Sequence, residues 1–302
     1  MILQDLAIFG TGIAAGTINV VVGSGTLITF PTLLAFGYPP VLANVSNNIG
    51  IIPGSLTGAY GYRGELTGQR SRLLTLGSAS LLGGLLGAVL LLTLPAGAFQ
   101  AIVPVLIGVA LVMVVAQPRL AKWVARRQQA KAGTATAAHP VTVPSGAALS
   151  GATLSGMALS GMASPEVTPA GVTQAGSMLT RAPARERIGP VLWFLVFCTG
   201  LYGGYFGAAQ GVLLIGLLGI ALNDTLQRVN AAKNVLAALV NGMAAVVFIL
   251  VSHVDWTAAG LIALGSVLGG MIGARVGRKL PPWGLRVLII CVGIVALVKL
   301  LA

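Results

Sequence analysis

The sequence predicts an all-α, polytopic membrane protein built from two inverted repeats, each with a broken or hairpin helix element. The first observation is composition, since 56% of the 302 residues are hydrophobic and only 8% are charged. A soluble fold could not bury that much apolar surface. The second observation is an internal duplication, because the stretch from about residue 11 to 107 is repeated from about 199 to 289.

One constant offset superposes the two copies. It matches glycines and polar residues that interrupt the apolar segments in the same places. The matched pairs are Gly25 with Gly211, Asn44 with Asn230, Asn47 with Lys233, and Asn48 with Asn234. Duplicated apolar segments of this kind are typical of secondary transporters assembled from two structural repeats.

The helical segments follow from the apolar runs. They are predicted at 6–22, 26–36, 40–60, 72–93 and 98–117, then at 189–208, 212–222, 226–250, 257–274 and 284–301. A helix needs about 20 residues to span a bilayer, so 26–36 and 212–222 are too short to cross untilted. We therefore expect each repeat to contain one discontinuous or hairpin element.

Three regions are predicted along the chain: a first transmembrane repeat at 1–117, a flexible cytoplasmic linker at 118–187 and a second repeat at 188–302. Lys and Arg flank the linker on both sides, which places it in the cytoplasm by the positive-inside rule. Its middle is rich in Ala, Gly, Ser, Thr and Pro, a composition typical of flexible linkers. Counting crossings from the linker makes the repeats inverted, provided that each contains an odd number of crossings, and puts both termini outside.

The net charge of +12 does not indicate nucleic acid, because the Lys and Arg residues lie mainly in short connections between apolar segments. Cys198 and Cys291 both lie in apolar segments, so we predict neither a disulfide framework nor a metal centre, and no cofactor. Ser, His and acidic residues do not cluster as an active site requires, which argues against an enzyme. The partners we expect are the lipid bilayer and a small anion; a homo-oligomer remains open.

Two glycine-containing breaks are the first candidate site elements. The short helices are predicted to begin at these breaks, with residues Ser24, Gly25, Thr26, Gln210 and Gly211 around an anion. The first N–H groups of a helix lack internal partners and carry partial positive charge, so two such ends meeting near the midplane would suit an anion. The alternative interpretation is a pair of glycine kinks that only pack closely.

Two polar helix faces follow the breaks. Their residues recur at i, i+3 and i+4 and are Asn44, Asn47 and Asn48 in the first repeat and Asn230, Lys233, Asn234 and Asn241 in the second. Residues at these spacings share one helix face. Carboxamides in lipid require partners, so each face is expected to line a polar path or to clasp another helix.

Lys233 is the cation that interrupts a spanning segment well away from its ends. An intramembrane cation is a functional candidate, and here it would bind or gate an anion. Alternatively its side chain snorkels to the cytoplasmic interface. Arg228, at the start of the same helix, is expected to be an interface cation without a role in the site.

The glycine and asparagine motifs resemble the sulfite exporter TauE/SafE family. The motifs that carry the resemblance are Gly12-Ile13-Ala14-Ala15-Gly16, Gly23-Ser24-Gly25, Asn47-Asn48-Ile49-Gly50 and Tyr62-Arg63, with Gly200 to Gly207 and Asn230 to Asn234 in the second repeat. The resemblance implies movement of sulfite, thiosulfate, sulfonates or related small anions across the plasma membrane. We expect alternating access about the shared site; the alternative is an anion channel.

Overall fold

The computed structural model describes residues 2–137, 188–222 and 224–276, with scattered helical residues between 287 and 298. Within these residues every regular element is a helix, which confirms the predicted all-α fold. The helices are α1 (Ile2–Val21), α2 (Thr26–Ala35), α3 (Pro40–Gly61), α4 (Arg70–Thr93), α5 (Ala96–Ala137), α6 (Pro190–Tyr205), α7 (Gln210–Ala221), α8 (Leu226–Val251) and α9 (Trp256–Val276).

Four of the described helical segments are long and apolar enough to cross a membrane. They are Arg70–Thr93, Gly97–Arg119, Leu226–Val251 and Trp256–Arg275. The short elements α2 and α7 contain 10 and 12 residues, in agreement with the sequence prediction. Most of the segment predicted at 284–301 lies outside the described residues.

The helix α5 continues well past the boundary predicted at 117. It runs through Pro118 to Ala137, so the first part of the predicted linker is helical. Alanine, lysine, arginine and glutamine dominate this extension and favour a helix even without tertiary contacts. The chain divides into two compact units. The first unit comprises Met1–Lys131 and Ile188–Ala302, and the second comprises Ala132–Arg187. Residues 138–187 lie outside the described part.

Small residues let the helices of the first unit approach closely. A Cβ atom on Gly16 of α1 would lie 2.4 Å from the carbonyl oxygen of Ser266 in α9. The Ser266 hydroxyl also donates to the carbonyl oxygen of Gly50 in α3 at 2.9 Å and accepts from the N–H of Gly54 at 3.1 Å. Close backbone approach supplemented by hydroxyl hydrogen bonds is how helices associate in lipid.

Contacts between the two repeats are reciprocal. In α4, a Cβ atom on Gly83 would meet the carbonyl oxygen of Phe197 in α6 at 2.3 Å. At the matching position in α9, a Cβ atom on Gly269 would meet the carbonyl oxygen of Ile13 in α1 at 2.0 Å. Each repeat's fourth helix therefore packs on the first helix of the other repeat.

Matching helices α3 and α8 begin at opposite ends of the bundle. The start of α8 lies beside the connection that follows α3, since the side chain of Gln69 donates to the carbonyl oxygen of Arg228 at 3.2 Å. The connection between α8 and α9 lies instead beside the start of α3, where the N–H of Asp255 donates to the hydroxyl of Ser46 at 3.0 Å. We call the end at the α3–α4 connection the arginine-rich end, because it carries Arg63, Arg70, Arg72, Arg228 and Arg275.

Candidate functional site

The first helix of each repeat stops at a glycine in the left-handed region. Gly23 has φ 86° after α1, and Gly207 has φ 77° after α6. Each glycine N–H reaches back five residues, to the carbonyl oxygen of Ile18 at 3.1 Å and to that of Tyr202 at 3.2 Å. Only glycine adopts this conformation without strain, so these residues set the positions of both breaks.

The two breaks touch each other. The N–H of Gly211 donates to the carbonyl oxygen of Gly23 at 3.0 Å, and a Cβ atom on Gly23 would lie 2.5 Å from the Cα atom of Gly211. A Cβ atom on Gly25 would lie 2.4 Å from the carbonyl oxygen of Ala15. The glycines at both breaks thus allow close packing, and the space beside Gly25 is filled by α1.

Five buried N–H groups at the breaks donate to no acceptor in the described part of the chain. They belong to Ser24, Gly25, Thr26, Ala208 and Ala209. Buried backbone N–H groups almost always have a partner, so a group of five is unusual. Such a concentration of free donors suits a bound anion.

The start of α7 differs from the sequence expectation. Its first two N–H groups already have acceptors within the protein. The N–H of Gln210 donates to the carbonyl oxygen of Gly207 at 3.4 Å, and the N–H of Gly211 donates to the carbonyl oxygen of Gly23. The hydroxyl of Tyr202 also donates to the carbonyl oxygen of Ala208 at 2.6 Å. The free backbone donors of the second break therefore precede α7, at alanines that carry no polar side chain for sequence reasoning to find.

Six of the predicted site residues keep a buried side-chain atom without a partner in the described part. The atoms are Ser24 Oγ, Asn44 Oδ1, Asn48 Oδ1, Gln210 Nε2, Asn230 Oδ1 and Asn234 Nδ2. They include donors and acceptors, and an unpaired buried polar atom costs about 1–3 kcal/mol. A bound polar ligand or water would remove that cost.

Asparagines of the third helix in each repeat bind the broken helix of the other repeat. The amide of Asn44 donates to the carbonyl oxygen of Tyr205 at the end of α6, at 3.0 Å. The amide of Asn230 donates to the carbonyl oxygen of Val20 near the end of α1, at 3.2 Å. The last carbonyls of a helix lack internal partners, so these two asparagines cap the breaks across the repeat interface.

Lys233 lies inside the bundle and points at the end of α1. Its side chain is buried, with 1% relative exposure, and Nζ donates to the carbonyl oxygens of Asn19 at 2.9 Å and Val20 at 3.1 Å. The ammonium group therefore does not snorkel, and it complements the partial negative charge at a helix C-terminus. An ammonium has three donors, and the third has no partner among the described residues.

Asn19 joins the lysine to the first break and was missed by the sequence analysis. Its carbonyl oxygen accepts from Lys233, its side chain donates to the hydroxyl of Ser55 at 2.9 Å, and its Cβ atom lies 2.9 Å from a Cβ placed on Gly25. The ammonium group and the Ser24–Thr26 turn thus contact the same residue. A polar residue four positions before a glycine break was the available signal.

The remaining predicted residues lie on the same helices at varying distance from the breaks. Asn47 accepts a hydrogen bond from the Thr29 hydroxyl of α2, so its carboxamide faces the short helix. Asn241 is buried but lies two turns beyond Asn234, about 10 Å further along α8. No three His, Cys, Asp or Glu side chains in the described residues lie together as a metal site requires.

Comparisons with known proteins indicate a family of membrane transporters. The chain matches the sequence model of the family described as Sulfite exporter TauE/SafE over residues 8–300. It is 35% identical over 118 residues to the probable membrane transporter protein ORF9 of Sinorhizobium sp, a match that covers 36% of this chain and 44% of that relative. The chain therefore aligns with less than half the length of this relative. No solved structure matches.

Proposed function

Because this chain belongs to the TauE/SafE family of membrane transporters, we propose that it exports a small anion such as sulfite, thiosulfate or an organosulfonate across the cell membrane. The observation that carries the proposal is the set of five free N–H groups where the two breaks meet. Together they offer an anion several donors in a setting from which lipid and bulk water are excluded.

Lys233 supplies the charge of the proposed site. An anion entering a low-dielectric environment needs a compensating positive charge or several oriented dipoles. Among the described residues, neither the third N–H of the ammonium nor the hydroxyl of Ser24 has a partner, so both can donate to an anion. The proposed site therefore combines donors from both repeats, with Ser24 from the first repeat and the ammonium group of Lys233 from the second.

Alternating access is the proposed mechanism. It requires two halves of opposite orientation that move about a shared site. The reciprocal packing of α1 on α9 and α4 on α6, together with the opposite directions of α3 and α8, supports inverted repeats. By the positive-inside rule, the arginines at the α3–α4 connection favour a cytoplasmic position for that end.

Burial of the polar residues favours a transporter over the alternative of an anion channel. Ser24, Asn47, Lys233 and Asn234 each have 1% relative exposure. A channel requires a continuous hydrated path, whereas an alternating-access protein passes through states in which the site is closed to both sides.

Direct binding tests the proposal. Purified protein titrated with sulfite, thiosulfate and short sulfonates in a calorimeter is expected to bind at least one of them saturably, with chloride as the reference anion. The same titration of Ser24→Ala is expected to show weaker binding. Absence of saturable binding for the whole series would contradict the proposed function.

A further inference from the structure

A cluster of charged and polar side chains joins the two repeats at the arginine-rich end. Its centre is Asp224, in the connection between α7 and α8. The carboxylate contacts Nη1 of Arg72 in the first repeat at 2.8 Å and Nε of Arg228 in the second repeat at 2.7 Å. The side chain of Asp224 is only 13% exposed, so water screens these ion pairs less than an open surface pair.

Further hydrogen bonds of the same cluster cross between the repeats. The side chain of Gln69 donates to the carbonyl oxygen of Arg228 at 3.2 Å, and Nη2 of Arg228 donates to the carbonyl oxygen of Thr67 at 3.1 Å. The guanidinium of Arg72 also donates to Gln69 Oε1 at 3.0 Å, which fixes its position. We call Gln69, Arg72, Asp224 and Arg228 the cross-repeat cluster.

The carboxylate is held firmly to the start of α8. Its Oδ1 accepts from the N–H of Thr225 at 3.0 Å, and the Thr225 hydroxyl caps the helix by accepting from the N–H of Arg228 at 3.4 Å. Burial alone would raise the pKa of Asp224, but hydrogen bonds from Arg72 and Arg228 outweigh it and hold the pKa below its usual value. Asp224 is thus ionised at neutral pH and moves with α8, the helix that carries Lys233.

We infer that Asp224 is a gating residue: by binding Arg72 it keeps the arginine-rich end closed, and that end opens when the contact breaks. The inference rests on the proposed alternating access, which requires that the repeats separate at one end at a time. An ion pair between repeats that is made in one state and lost in another biases their equilibrium.

The opposite end carries a different contact at matching positions. The repeat offset pairs Asp224 with Tyr38 and Gln69 with Asp255. Asp255 contacts the first repeat through its N–H, which donates to the hydroxyl of Ser46, and burial together with the nearby charge of Asp255 raises the pKa of Tyr38. Asp255 therefore offers a matched control, since its loss should not expose the site from the arginine-rich end.

The test is the reactivity of a buried cysteine placed behind the cluster. Ala231 is fully buried, lies one turn beyond Arg228 toward Lys233, and packs with Val20 and Tyr62. Ala231→Cys is introduced after Cys198 and Cys291 are replaced by alanine. A membrane-impermeant thiol reagent is then applied to vesicles of each orientation. The reagent should reach the cysteine only when the arginine-rich end opens.

Asp224→Asn and Arg72→Gln are each expected to raise the rate of labelling about tenfold from the arginine-rich side alone, since each removes a charge-assisted hydrogen bond. Asp224→Glu should restore slow labelling. Arg70→Gln, at an exposed arginine of the same end, and Asp255→Asn should not raise the rate from that side.

Unchanged labelling in both Asp224→Asn and Arg72→Gln would overturn the inference, and so would an equal increase in Arg70→Gln. If Asp224→Asn fails to fold, as judged by gel filtration, Arg72→Gln decides the outcome. Anion binding is measured on the same samples. Loss of anion binding in every sample, with labelling that still depends on Asp224, would refute the proposed function and leave the gating contact standing.

Discussion

Replacement of Lys233 by methionine separates the two roles that the geometry allows for the ammonium group. One role is to cap the end of α1, and the other is to supply the positive charge of the proposed anion site. Methionine keeps much of the side-chain volume and removes the charge. Nζ donates to the carbonyl oxygens of Asn19 and Val20, and its third N–H has no acceptor in the part of the chain that the structure describes. The variant therefore removes a cap from α1 and, in the proposed site, the positive charge next to the anion.

The magnitude follows from those contacts. Removing one partner of a buried, hydrogen-bonded charge interaction typically costs about 2–5 kcal/mol. Anion affinity is therefore expected to fall at least about tenfold, since 1.4 kcal/mol corresponds to a factor of ten. Val20 keeps the amide of Asn230 as a donor, so the carbonyl of Asn19 is the one left without its partner.

Calorimetric titration of purified protein measures the affinity, and a thermal melt of the same sample measures the loss of the helix cap. Lys233→Arg should retain part of the affinity because the charge survives. Lys122→Met, at an exposed lysine on the extension of α5, is the matched control and should bind normally. A Lys233→Met protein with a lower melting temperature and an unchanged dissociation constant would refute the ligand role and leave only the cap.

Three further outcomes are expected. Ser24→Ala should weaken anion binding about fivefold in calorimetry, because it removes a buried hydroxyl that has no partner among the described residues. Ser80→Ala, which removes a second such hydroxyl, should not weaken binding, and equal effects of the two variants would contradict the site assignment. Gly16→Ala should lower the melting temperature, because its Cβ would meet a carbonyl oxygen of α9 at 2.4 Å. Gly10→Ala, where the added Cβ meets open space, should leave the melting temperature unchanged. An unchanged melting temperature in both variants would refute the close packing. The pKa of Asp224 is lowered on folding, so its stabilisation is complete above the unfolded value of about 4 and is lost as pH falls through the folded value. The melting-temperature difference between the parent and Asp224→Asn should thus hold from about pH 8 to about pH 5 and shrink in stronger acid; a difference that instead grew in acid would contradict this sign.

Much of the fold was predictable because apolar segments and glycines carry their own structural meaning. Long apolar runs require helices in lipid, and the residues at 26–36 and 212–222 were too few to span. The breaks were predicted from glycines that interrupt the apolar runs and from the short helices that follow. At the second break, however, the glycine with positive φ is Gly207, just before the predicted interruption. The helical continuation of α5 was missed because the linker boundary was placed where hydropathy falls, although helix propensity remains high beyond it.

Contacts across the repeats were not predictable from one sequence. The pattern placed Asn44 and Asn230 on helix faces but could not show that each caps a helix of the other repeat. Arg228 was expected to be an ordinary interface cation, yet it binds Asp224. Alanines at the second break gave no chemical signal, because their contribution is a free backbone N–H that any residue type could provide.

Counterflow in proteoliposomes tests the central claim most directly. Vesicles containing the purified protein are loaded with unlabelled thiosulfate and diluted into labelled thiosulfate, with sulfite and a short sulfonate tested in the same way. The account predicts transient, saturable accumulation of at least one labelled anion, reduced at least tenfold in Lys233→Met. Flux that does not saturate and shows no counterflow, or no flux for any of these anions, would contradict it.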